Sequence, residues 1–91
     1  MAGRFSMGTL VATPGALAAI REAGHSPADF LGRHAGGDWG EVDGHDRKQN
    51  EIALREGGRI LSAYQTLKGE SLWVITEADR SATTILLPGE Y

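Results

Sequence analysis

The stretch Arg59-Ile60-Leu61-Ser62-Ala63-Tyr64-Gln65-Thr66-Leu67-Lys68-Gly69-Glu70-Ser71-Leu72-Trp73-Val74-Ile75-Thr76-Glu77-Ala78-Asp79-Arg80-Ser81-Ala82-Thr83-Thr84-Ile85-Leu86-Leu87 decides the fold. Its β-branched and aromatic residues gather in Ile60 to Thr66, Leu72 to Thr76 and Ser81 to Leu87, parted by Lys68-Gly69 and by Glu77-Ala78-Asp79-Arg80. Such runs between turn residues are strands in a three-stranded antiparallel meander. A two-residue turn at Lys68-Gly69 sets Tyr64 opposite Trp73, Ala63 opposite Val74 and Ser62 opposite Ile75. A turn centred on Ala78-Asp79 sets Trp73 opposite Thr84 and Leu72 opposite Ile85. Side chains alternate with period 2, so Leu61, Ala63, Leu72, Val74, Ile85 and Leu87 share one face. Ile60, Tyr64, Trp73, Ile75, Thr84 and Leu86 share the other. The first set is aliphatic and suits packing on helices; the second carries the large aromatics.

Upstream, the pattern turns helical. Phe5 to Ala12 is a short first strand. Thr13-Pro14 is an N-cap and first-turn pair for a helix through Glu22, with Leu17 and Ile20 on its buried stripe and Gly24 as its stop. Ser26-Pro27-Ala28-Asp29 is a capping box opening a second helix, which buries Phe30 and Leu31 and ends at Gly36-Gly37. Asp43, with Asp46 three residues on, opens a third helix to about Arg55, with Arg47–Glu51 and Glu51–Arg55 spaced as surface pairs. The expectation is a single α+β domain over 1–91, in the order β-α-α-α-β-β-β.

The chain has 91 residues, enough for one core. It lacks cysteine, which removes disulfides, thiolate zinc sites and cysteine nucleophiles. Met1 to Leu10 holds no apolar run of signal-peptide length and nothing later reaches membrane-spanning length, so a cytoplasmic protein is expected. The formal net charge is −3, and Asp38 to Glu56 alone accounts for it. That sign argues against a direct nucleic-acid partner, whose phosphates call for lysine and arginine.

Chemistry-bearing motifs are sparse. His25, His34 and His45 have no metal-ligand spacing, and no metal or other cofactor is expected. His34 is read either as buried with Phe30 and Leu31 by the second helix or as mostly solvated near that helix's end, where a charged imidazolium suits the dipole. Gly36-Gly37-Asp38-Trp39-Gly40 lacks a P-loop lysine, and Trp39 is read as a lid on the core edge or a ligand platform. No serine sits in a nucleophile elbow, so no catalytic residue is assigned. In the Glu77-Ala78-Asp79-Arg80 turn, Glu77 and Arg80 pair across the hairpin neck or Arg80 is exposed as a partner anchor. Tyr64 and Trp73 are a cross-strand pair that is either covered or an exposed protein-binding patch. The candidate protein-binding set is therefore Tyr64, Trp73, Arg80, Glu77, Asp79 and Trp39.

The ending Leu72-Trp73-Val74-Ile75-Thr76-Glu77-Ala78-Asp79-Arg80-Ser81-Ala82-Thr83-Thr84-Ile85-Leu86-Leu87-Pro88-Gly89-Glu90-Tyr91, with Gly37-Asp38-Trp39-Gly40, resembles a family of short uncharacterised bacterial proteins often encoded on plasmids and other mobile elements. The resemblance implies a mobile-element accessory factor, in a setting where small proteins often inhibit or modulate host defence, as anti-CRISPR proteins do. It transfers no site residue. The element order also resembles bacterial mRNA-cleaving toxins, but those are typically strongly basic and this chain is acidic. Two further readings stand beside the binding protein: a small ribonuclease-like enzyme using His34 with Glu77 or Asp79, and a homodimer joined through the aromatic face.

Overall fold

The computed structural model describes residues 3–91. Its order is β1 (Thr9–Ala12), α1 (Pro14–Glu22), α2 (Pro27–Ala35), α3 (Gly44–Glu56), β2 (Ile60–Gln65), β3 (Ser71–Thr76) and β4 (Ala82–Leu86), then a 3-10 turn at Pro88–Glu90. This is the expected α+β order. The first strand is shorter than Phe5 to Ala12, because Phe5 leaves the sheet to stack on His34 and Trp39. It also adds to the meander: β1 pairs parallel with β4, giving a mixed four-stranded sheet of order β1-β4-β3-β2.

The helices start where the caps were read. Thr13 Oγ1 accepts from the Ala16 N–H at 3.1 Å, Asp29 Oδ2 from the Ser26 N–H at 3.0 Å, and Asp43 Oδ1 from the Asp46 N–H at 2.8 Å.

The register differs from the two-residue reading, with consequences for every face. Between β2 and β3, Thr66 N–H donates to Glu70 and Gly69 N–H to the Thr66 carbonyl, so the turn is the three residues Leu67-Lys68-Gly69. Gly69 sits at φ 84°, the left-handed position such a loop requires. One extra turn residue slips the pairing by one, to Tyr64 opposite Leu72 and Ala63 opposite Trp73. A slip of one turns every β2 side chain over. Ile60, Ser62 and Tyr64 therefore join Leu72, Val74, Thr76 and Ile85 beneath the helices, while Leu61 and Ala63 join Trp73 on the other side. The β3–β4 loop is longer too, setting Trp73 opposite Leu86, but that slip of two keeps β4 on its expected faces.

One core cluster joins Ala16, Ala19, Ile20 and Phe30 of α1 and α2 to Tyr64, Leu72, Val74 and Ile85. A second joins Trp39, Val42, Ala53 and Ile60 at the β2 end. Burial of such side chains is worth roughly 1.5 to 3 kcal/mol each.

Candidate functional site

Tracing the expected binding residues through this frame separates them. Tyr64 is buried; its hydroxyl donates to the Asp38 carbonyl at 2.5 Å and the Arg33 guanidinium lies 4.4 Å from its ring centroid. Burial pushes its phenol up to about 12. The expected Tyr64–Trp73 patch is thus divided between two faces by the one-residue slip.

Trp39 is 1% exposed, with Nε1 donating to Glu51 Oε2 at 3.1 Å. It is part of the core and not a surface platform. Glu51 also takes Arg4 in an ion pair at 3.0 Å, so it is drawn away from the expected Arg47 and Arg55 partners. Arg47 instead donates to the Gly40 and Val42 carbonyls.

Arg80 is turned inward. Its Nη1 donates to the carbonyls of Gly58 (2.6 Å), Ala78 (3.1 Å) and Glu77 (3.2 Å), and its Nη2 to Ala53 (3.0 Å). The guanidinium thereby ties the carbonyl end of α3 to the β3–β4 turn, where a cation is favoured. It meets the Glu77 backbone and not its carboxylate. Glu77 and Asp79 are exposed; Asp79 Oδ1 accepts from the Ser81 N–H at 2.9 Å, and the Ser81 hydroxyl first and this N–H second hold its carboxyl below the usual range.

His34 lies in the interior, as the buried of its two readings has it, and its hydrogen bonds determine its proton. The Met7 carbonyl can only accept, so Thr83 Oγ1 donates to it at 2.8 Å. Thr83 must then accept from Thr76 at 2.6 Å, and Thr76 from His34 Nε2–H at 2.9 Å. His34 Nδ1 is left bare to accept from the Ser62 hydroxyl at 2.6 Å. Burial lowers its pKa from 6.5 to about 4, so the ring is neutral in this tautomer. The Ser62–His34 pair has the spacing of a nucleophile and its base, but both residues are fully buried and the second ring nitrogen meets a threonine, not a carboxylate.

On the other side of the sheet Ile75 and Leu86 are buried, and Trp73 and Thr84 are half-buried. Trp73, Ile75, Thr84 and Leu86 belong to neither helix-backed cluster. The cover found among the described residues is the C-terminal turn, which brings Tyr91 edge-on to Trp73 with centroids 5.6 Å apart. Arg59 lies 5.8 Å from the Tyr91 ring and donates to its hydroxyl. Trp73 is half-buried, and Tyr91 is 67% exposed. This cluster of tryptophan, tyrosine and arginine, with its tyrosine and arginine exposed, is the candidate site.

No family model, curated protein or solved structure matches this chain. Arg59 and Tyr91 are absent from the expected set because neither lies in a strand pattern; Pro88-Gly89, which begins the turn that brings Tyr91 back, is the signal present in the sequence.

Proposed function

We propose that the protein is a small non-enzymatic binding factor that meets a protein partner at the Trp73, Tyr91 and Arg59 cluster. The observation that carries this reading is the Trp73–Tyr91–Arg59 cluster, in which the two exposed side chains Tyr91 and Arg59 meet the half-buried Trp73. These three residue types dominate binding hot spots, because they combine large apolar area with a polar end. The ribonuclease-like alternative is disfavoured by the enclosure of His34, which hydrogen-bonds hydroxyls and neither Glu77 nor Asp79. The resemblance of the Leu72 to Tyr91 ending extends the proposal to an accessory role on a mobile element, inhibiting or modulating a host defence system such as CRISPR–Cas.

Affinity capture from host lysate, comparing the native chain with an Arg59→Glu, Tyr91→Ala double variant, tests the reading. Both side chains are exposed, so circular dichroism should be unchanged. A partner held by the native chain and lost by the variant is expected. Identical capture by both would remove this cluster as the binding surface.

A further inference from the structure

The two edges of the sheet are treated differently by the fold. At the β2 edge, Asn50 spans the Leu61 backbone, and the Trp39 to Glu41 segment takes both backbone groups of Ala63. That edge is closed. At the β1 edge, Thr9 and Thr13 N–H groups donate to the Ser81 and Ile85 carbonyls, so by alternation Val11 also points toward β4 while Leu10 and Ala12 point their backbone groups outward. Leu10 is 53% and Val11 46% exposed. Beside them runs a groove of about 270 Å³ lined by Leu10, Ala12, Pro27, Leu31 and Ile85. Natural sheets blunt free edges with charge, proline, cover or shortness; β1 has neither charge nor proline, and its four residues leave Leu10 and Ala12 as the outward pairing positions.

We infer that β1 is the pairing edge for a second copy of this chain, two β1 strands meeting antiparallel about an axis through Val11 and joining two four-stranded sheets into one. Setting Leu10 opposite Ala12 of the second copy satisfies all the outward N–H and C=O groups of both residues, and leaves Val11 opposite its own equivalent at a non-hydrogen-bonded position. Charge selects this occupant. From Phe5 to Ile20 the chain carries no charged side chain, and the carboxylate brought to the end of β1 is Glu90, which accepts from the Thr13 hydroxyl and the Leu87 N–H, so repulsion along the strand is small. The acidic Asp38 to Glu56 stretch, which holds the whole net charge, lies along the opposite edge against β2, so this pairing puts the two acidic regions at the far ends of the joined sheet. The Trp73–Tyr91–Arg59 cluster is left free on both copies, so the inference does not depend on the proposed function.

The chain has no cysteine, which makes a single introduced thiol diagnostic. Opposed residues at a non-hydrogen-bonded position have Cα atoms about 4.5 Å apart, within disulfide reach. Val11→Cys should oxidise to a covalent dimer at least about tenfold faster than Leu67→Cys, placed in the exposed β2–β3 turn, because pairing raises the local thiol concentration. Sedimentation of the native chain should show mass rising toward a dimer with concentration. Val11→Lys and Val11→Glu should each be monomeric, and their equimolar mixture should recover the dimer. A native chain that stays monomeric into the millimolar range overturns the inference, whether or not the edge takes a strand from another protein. So does a dimer in which Val11→Cys cross-links no faster than Leu67→Cys.

Discussion

Asn50 grips the backbone of Leu61 at both ends, its Nδ2 donating to the carbonyl at 2.7 Å and its Oδ1 accepting from the N–H at 3.1 Å. The side-chain amide presents the same donor and acceptor as a neighbouring strand would. One buried residue of α3 thereby both docks the helix and finishes the sheet. Asn50→Ala leaves two strand groups unpaired in a half-buried setting, and should cost about 2 kcal/mol in urea unfolding. Asn50→Asp should cost more, since its carboxylate faces the Leu61 carbonyl without a proton to offer. Equal stability of all three chains would show that water closes this edge as well as Asn50 does.

A second closure of the same edge rests on Gly40. Its φ is 72°, and a Cβ built there would lie 2.0 Å from the Ala63 carbonyl oxygen. Gly57 has a similar φ of 81° but open space around it. With ψ at 128° it sits in a backbone region that glycine alone enters readily, so Gly57→Ala should cost the backbone strain by itself, about 1 to 3 kcal/mol. Gly40→Ala adds a backbone clash that only separation of the 39–41 segment from β2 can relieve. Thermal unfolding of the two variants should therefore differ markedly, with Gly40→Ala the lower.

The contrast between these positions shows what the sequence could carry. The caps at Thr13, Ser26 and Asp43 were legible because each is a local contest for one N–H group. The strands were legible from composition. Their register was not, because it turns on whether two or three residues form the Lys68-Gly69 turn, and that choice inverted β2. Tyr64 left the surface by that single step, and Trp73 stayed. Arg80 was misplaced, and Trp39 and His34 were left between two readings each, for another reason: their partners Glu51, Ser62, Thr76, Gly58 and Ala53 are brought to them by tertiary packing, which no periodicity encodes.

Arg80 yields a prediction that separates structure from binding. Its fork reaches four carbonyls, a geometry lysine cannot copy. Arg80→Lys should lose part of the stability and Arg80→Ala about 2 kcal/mol, both read by denaturant midpoint. The charge is the same in the first variant, so its loss measures the fork. If Arg80→Lys is as stable as the native chain, the guanidinium acts as a point charge only.

His34 makes stability depend on pH in a window set by its burial. In the unfolded chain the imidazole takes its proton near 6.5, whereas in the folded chain it does so only at about 4. As pH falls below 6.5 the unfolded state binds the proton first, so folding stability falls with pH. The stability is fully present above 6.5 and is lost progressively down to about 4. Integrated over the window, the loss is about 3 kcal/mol. The carboxyls of Asp38, Glu51, Asp79 and Glu90 are all held below their ordinary values, Asp38 first by Arg33 and Glu51 first by Arg4, so their losses fall at lower pH. Urea unfolding of the native chain at pH 7, 6, 5 and 4.5 should show most of its decline above the carboxylate range, and His34→Gln should flatten that part of the curve. Nitrogen-15 spectra at pH 7 should show the His34 proton on Nε2, as the hydroxyl chain to the Met7 carbonyl dictates. A proton on Nδ1, or a decline of the same size in His34→Gln, would refute the assignment.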